Sequence, residues 1–340
     1  MEALGITHVS FFPFDSLAFL TSGYDRSVKL FSSETLTAST SFDLGSTVYS
    51  FAVSTAASHL LVACASQHPA VRLVDLKSGS STHSLAGHSG SVLSVTWHPK
   101  HEYILASGGS DGAVRVWDVR RSASSLGVLD MDDAVGIAGY DGKGTRARRR
   151  ERGKAHNGAA NGVTWTDDGQ YLVSVGHDER MRVWNMINGA NTLANFGPSL
   201  RNSTKTSLHP ILAPSYLSLP GQEIVFFPNQ REVTGYDMHS GAVLSRLRIP
   251  GPQGSSTEAG GRNLKPRTTS LAWRAHEIQL YSAHGDGMIR CWRSRTQEDV
   301  EAEKEEREEG EGDDEAERKR KREELDQIVR YLTKKRTTYA

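Results

Sequence analysis

HSGSVLSVTWHPKHEYILASGGSDGAVRVW, residues 88–117, holds three short segments rich in β-branched and aromatic residues. They are Val92 to Trp97, Tyr103 to Ser107 and Ala113 to Trp117, parted by the turn-forming pairs His98-Pro99 and Asp111-Gly112. Segments of that length and composition between such turns read as antiparallel strands. Thr82 to Leu85, just ahead of Gly87-His88, reads as an outer fourth strand. The stretch also recurs. A small or polar run, an Asp and, six residues on, an aromatic appear as SGYDRSVKLF ending at Phe31, SGGSDGAVRVW at Trp117, SVGHDERMRVW at Trp184 and SAHGDGMIRCW at Trp292. Copies without the Asp end at Val74 and Tyr236.

The first two intervals between these endpoints are 43 residues each, and the later ones are 67, 52 and 56. A period of ~40–45 residues with four strands per unit is that of WD40 propeller blades. The expected fold is therefore all-β: a WD40 β-propeller of six recognisable blades over residues 1–295. The longer intervals locate a low-complexity basic insertion at 121–154 and a Gly/Ser loop at 250–267. The chain enters an inner strand at once, Gly5 to Ser10, and neither end supplies a strand to close the last blade. That pattern is expected of a seven-blade fold lacking its first blade, with imperfect closure between Met1 and Arg293.

Two copies carry a full polar set: His88, Ser107, Asp111 and Trp117 in one, His156, Ser174, Asp178 and Trp184 in the other. Such residues form a chain in which Asp fixes the histidine tautomer and the indole N–H closes on the serine hydroxyl, which satisfies groups that are costly to bury. Ser, His and Asp together also invite a hydrolase reading, but catalytic triads do not recur at a blade period. None of the thirteen histidines stands at metal-ligand spacing from cysteines or other histidines. No Gly-rich phosphate loop follows a strand. The expectation is a non-catalytic protein without cofactor or metal.

The composition is 37% apolar and 24% charged, with forty bases against forty acids. No run of eighteen apolar residues suggests a membrane span, and the N-terminus lacks a signal-peptide pattern. Two cysteines, Cys64 and Cys291, make no disulfide framework, which points to a reducing compartment. The zero net charge conceals blocks: thirteen acids in residues 298–317, nine bases in 318–336, and seven bases in 143–154. Residues 296–340 are expected to form a charged, disordered or helical tail, because such blocks repel themselves and stay solvated.

The residues outside the blade consensus are more telling. Asp75 to Gly79, His83 to His88, Tyr103 to Ala106 and Val116 to Arg121 resemble the Cockayne syndrome A protein family. So do Ala155 to Gly158, Asn161-Gly162, the string Arg180-Met181-Arg182 before Trp184-Asn185, and Asn188 to Leu193. The resemblance runs over about residues 40–295 and is strongest from 72 to 197. It implies a substrate receptor of cullin-4 RING ubiquitin ligases, held by the large subunit of damaged-DNA-binding protein. It further implies a nuclear role in transcription-coupled nucleotide excision repair, beside the Cockayne syndrome B-type ATPase and RNA polymerase II. In that family a helical segment ahead of the first blade makes much of the adaptor contact, and by the resemblance Met1 is expected to fall after that segment. The alternative is a general nuclear WD40 scaffold in a chromatin or RNA-processing complex.

Trp117, Asp118 and Arg120 match the WDxR motif associated with adaptor docking, with Arg120 offering forked donors; the competing reading is a solvent-exposed arginine on a common blade ending. Arg318, Lys319, Arg320, Lys321 and Arg322 read as a nuclear import signal or as the basic half of a charged helix. The Arg146–Lys154 block offers phosphate contacts, yet no aromatic lies between its bases to stack on a nucleobase, so direct nucleic-acid recognition is not expected.

Overall fold

The computed structural model describes residues 5–293 apart from 57, 122–124, 133–152, 199, 203–206, 219–220, 231, 249–266 and 275–277. The basic block at 143–152, nearly all of the Gly/Ser loop and the charged tail with its import candidates lie outside the described residues.

Among the described residues twenty-three strands form six antiparallel sheets, each sheet one blade of a β-propeller. The first blade is β1 (Ile6–Phe12), β2 (Asp15–Gly23), β3 (Ser27–Ser32) and β4 (Ala38–Asp43). The second is β5 (Val48–Val53), β6 (Leu61–Ser66), β7 (Ala70–Asp75) and β8 (Ser80–Ala86). The third is β9 (Val92–Trp97), β10 (Ile104–Gly109), β11 (Val114–Asp118) and β12 (Gly127–Leu129). The fourth is β13 (Ala160–Trp165), β14 (Tyr171–Gly176), β15 (Met181–Asn185) and β16 (Ala190–Asn191). The fifth is β17 (Ile211–Leu212), β18 (Ile224–Pro228), β19 (Glu232–Asp237) and β20 (Val243–Arg248). The sixth has three strands among the described residues: β21 (Thr268–Arg274), β22 (Gln279–His284) and β23 (Ile289–Arg293).

Two expectations from sequence are corrected here. Thr82 to Leu85 does not complete the sheet that contains Trp117. It lies in β8, which pairs with β7 in the preceding blade, because the short turn at Lys77 to Gly79 folds it straight back. The fourth strand of the Trp117 sheet is β12, inside the stretch read as insertion, where Val128 and Leu129 are buried. Gly127–Leu129 is therefore blade rather than inserted length.

The repeated Asp has a local cause. In four blades the turn between the second and third strands places a left-handed residue directly after it: Arg26, Gly112, Glu179 and Gly287, at φ of 66°, 78°, 56° and 81°. Each Asp side chain accepts the backbone N–H two residues on: Ser27 to Asp25, Ala113 to Asp111, Arg180 to Asp178 and Met288 to Asp286. The carboxylate thus closes an Asx-turn that holds the strained backbone.

Cores form between neighbouring blades. Leu73, Leu85, Val95, Leu105 and Trp117 pack together between the second and third, and Val114, Leu129, Val163, Leu172 and Trp184 between the third and fourth. Inner strands β1, β5, β9 and β13 lie side by side in succession. Inside them runs the segment from Ser207 to Pro210, which reaches inner strands of four blades before entering β17.

Candidate functional site

The polar sets of the third and fourth blades assemble as the sequence suggests. His88 Nδ1 lies 3.1 Å from Asp111 Oδ1, and His88 Nε2 lies 2.8 Å from Ser107 Oγ. Trp117 Nε1 donates to the same Ser107 Oγ at 2.8 Å. In the fourth blade the Asp178–His156, His156–Ser174 and Trp184–Ser174 distances are 2.9, 2.8 and 2.8 Å. In the third blade, with the indole donating to the serine, the hydroxyl proton goes to Nε2 and Nδ1–H points at the carboxylate, so one tautomer satisfies the set; in the fourth, Arg182 Nη1 also stands 2.8 Å from His156 Nδ1. Burial raises the Asp111 carboxyl, but the His88 hydrogen bond and charge outweigh it and bring it to about 2. Burial likewise opposes ionisation of Asp178, and His156 with Arg182 holds it well below the ordinary carboxylate range. Burial is also what depresses the His156 imidazole, against the pull of Asp178.

This is the bond pattern of a hydrolytic triad, but its setting differs. Ser107 and Ser174 are fully buried, and an indole N–H occupies each hydroxyl. No substrate carbonyl reaches either oxygen. The sets join strands within a blade.

A third, reduced set was not legible from the motif. In the sixth blade Trp292 Nε1 donates to Ser282 Oγ at 2.7 Å, and His284 Nε2 lies 2.8 Å from that oxygen. The histidine comes from the same strand as the serine, two residues on, and Thr268 Oγ1 stands 3.4 Å from its Nδ1 in place of a carboxylate. Asp286 is instead engaged by Arg290 at 3.0 Å.

The docking candidates sit together at the end of β11. Trp117 and Asp118 are buried, while the Arg120 side chain is 62% exposed. The fork expected to reach outward is already used: Arg120 Nε and Nη2 bond the two Asp118 oxygens at 3.0 and 2.8 Å. The guanidinium lies 4.7 Å above the Tyr103 ring. Tyr103, Arg120, Lys100, His101 and Glu102 border an open cavity of about 610 Å³. Arg120 therefore presents a fixed, planar cation at a surface depression. The arrangement suits contact with a carbonyl or acidic group, made by the outer face of an already paired guanidinium.

Other reactive groups are quiet. Burial pushes the Cys64 thiol up to about 12, too high for a nucleophile at neutral pH. Among the described residues no cluster of three or more His, Cys, Asp or Glu side chains is placed to hold a metal, and no helix is long and apolar enough to cross a membrane.

Comparison with known proteins accords with this geometry. The family described as WD domain, G-beta repeat matches residues 79–118 and 150–185, the two segments that carry the complete polar sets. The chain is a WD40 β-propeller. A chain of the crystal structure of the mitotic checkpoint complex superposes on this propeller with a TM-score of 0.61 at 17% identity, covering 87% of this chain and 76% of that one. This likeness shows the fold alone. WD repeat-containing protein ATCSA-1 of Arabidopsis thaliana is 29% identical over 84% of this propeller's chain and 71% of its own. That similarity is consistent with the Cockayne syndrome A-like family. DDB1- and CUL4-associated factor 13 of Dictyostelium discoideum is 27% identical over 30% of this chain and 18% of its own length.

Proposed function

We propose that this WD40 propeller is the substrate-recognition subunit of a cullin-4 RING ubiquitin ligase that acts in transcription-coupled nucleotide excision repair. The observation that carries the reading is the similarity to ATCSA-1 across 84% of the chain. The shorter likeness to a protein named as DDB1- and CUL4-associated supports the ligase half. In this reading the propeller holds substrate on one surface and the large subunit of damaged-DNA-binding protein on another. Arg120 contributes at the second. The Cockayne syndrome B-type ATPase and RNA polymerase II assemblies are the further partners, the nucleus is the compartment, and Arg318 to Arg322 supply import. A rigid blade scaffold with polar sets sealed inside suits a receptor, whose work lies in surface recognition.

Affinity purification from cells exposed to ultraviolet light tests this. Co-recovery of cullin-4 and its adaptor, with damage-dependent recovery of the ATPase and polymerase, is expected. Recovery of chromatin or RNA-processing subunits without cullin-4 would overturn it. Replacing residues 318–322 by alanine is expected to lower nuclear accumulation; unchanged distribution would remove the import role.

A further inference from the structure

The outer strand of the fourth blade stops short. Gly176 N–H donates to Arg180 O, and Thr192 N–H donates to Val183 O, which fixes the parity of the β15 ladder. Arg180, Arg182 and Trp184 turn their backbone groups toward β14, while Met181, Val183 and Asn185 turn theirs toward the outer strand. Asn185 and Val183 are met by Ala190 and Thr192. In register, Ala194 would meet Met181. Leu193 instead takes a left-handed conformation at φ 59° and leads the chain out of the ladder. The outward N–H and C=O of Met181 have no backbone partner among the described residues.

The same position is covered in the other four-stranded blades. Val28 faces Phe42, Val71 faces Leu85, Val114 faces Leu129 and Val233 faces Leu247. The unpaired edge of β15, where Met181 is 3% exposed, borders a cavity of about 600 Å³, whose lining includes Met131, Phe196 and Leu200 as apolar contributors. Of the charged lining, Asp178 is matched by Arg182 and Glu179 by Arg201. Arg180 is exposed, and among the described residues neither its guanidinium nor the carboxylate of Asp132, on the turn after β12, carries a partner. Arg180-Met181-Arg182 and Asn188 to Leu193, the strings that stand outside the blade consensus, together build this place.

We infer that the fourth blade is a β-augmentation site, at which an extended segment of a partner protein completes the outer strand by pairing with the backbone of Met181. An added strand gains main-chain hydrogen bonds from the edge and specificity from the pocket beside it. The segment that fits presents an apolar side chain to the cavity and a carboxylate to Arg180. The site does not depend on the cullin-4 reading, since it follows from register and lining alone.

The test pans the full-length chain against a displayed library of random twelve-residue peptides, then titrates an enriched peptide into ¹⁵N-methionine-labelled protein. The chain has six methionines, so the Met181 amide is resolved among few signals. Enriched peptides are expected to share an apolar residue near an acid, to shift the Met181 amide, and to leave the Met238 amide of the fifth blade in place. Arg180→Glu, an exposed change, is expected to weaken binding at least tenfold while the methionine spectrum stays folded. No enrichment, a bound peptide that leaves the Met181 amide unmoved, or full affinity in Arg180→Glu would each overturn the proposal.

Discussion

Ser94 and His209 stand 115 residues apart in the chain, yet Ser94 Oγ lies 2.8 Å from His209 Nε2. Ser94 also accepts the Val163 N–H, so its own proton goes to the imidazole. Around them Ser207 donates to Tyr49 O, Leu208 N–H donates to Asn161 O, and the His209 ring stacks on His8 at 5.7 Å. One short segment therefore ties the inner strands of the first four blades together. Most contacts in a propeller join neighbouring blades; this one spans several at once.

That tie is expected to make the fold acid-sensitive. Burial depresses His8 to about 4 and His209 to about 3, from an ordinary 6.5. Both are neutral in the folded state, and a protonated His209 loses its acceptor role toward Ser94. A histidine whose folded pKa lies below its unfolded value stabilises fully above pH 6.5. That contribution falls as pH drops from 6.5 toward 4, because the unfolded chain then binds more protons. Each pH unit in this window is expected to cost up to ~1.4 kcal/mol per histidine. Denaturant titrations at pH 7.5, 6, 5 and 4.5 check it. A flat profile, or an unchanged slope in His209→Gln, would refute the assignment.

Gly162 admits the same segment. A Cβ there would sit 2.0 Å from the Leu208 carbonyl oxygen, a backbone atom that cannot swing aside. Gly162→Ala is therefore expected to destabilise by roughly 1–3 kcal/mol, as overpacking does. It should also expose the Leu208 amide to hydrogen exchange without disturbing the third-blade network. Wild-type stability would show that the segment is free to shift.

The serines of the complete and reduced networks are expected to differ in worth. Ser107→Ala strands the Trp117 indole N–H and His88 Nε2 in a site closed to water, a loss of about 2–6 kcal/mol at 1–3 kcal/mol per orphaned group. Ser282→Ala strands the corresponding atoms of Trp292 and His284. There Trp292 is only half-buried and no carboxylate orients the ring, so roughly half that loss is expected. Equal losses, measured by chemical denaturation, would mean that water does not relieve the sixth blade.

What the sequence made legible is what recurs locally. Asp111, Asp178 and Asp286 each close a turn two residues away, and Ser107 meets Trp117 ten positions on across one hairpin, so these positions repeat with the blade. β12 reads as insertion in sequence because three residues among Ser and Gly carry no alternation long enough to see. Ser282 and His284 escape the motif because the histidine sits on the serine's own strand. The Ser94–His209 contact leaves no periodic trace at all: it depends on which inner strands the ring brings to the axis. The unpaired edge at Met181 is equally invisible in sequence, since it turns on the left-handed backbone of Leu193, a residue type that gives no warning of it.

Arg120 and Trp117 separate binding from folding at one blade end. Trp117 is 1% exposed and bonds Ser107, so Trp117→Ala is expected to cost roughly 3–5 kcal/mol and to damage the blade itself. Arg120 differs in kind. Its guanidinium covers Tyr103 and grips Asp118, but Asp118 keeps the backbone N–H of residue 120 at 3.0 Å whatever side chain stands there. Arg120→Ala is thus expected to leave cooperative unfolding intact and to loosen the Tyr103 ring. If the cation meets the ligase adaptor at the depression beside Tyr103, truncation is expected to weaken adaptor binding more than tenfold, with a smaller effect if the contact lies at the interface rim. Arg120→Lys keeps the charge but not the planar fork, so binding between the wild type and the alanine variant is expected. Titration calorimetry with purified adaptor distinguishes the cases. Wild-type affinity in Arg120→Ala would return this arginine to the role the structure already gives it, a clamp on Asp118.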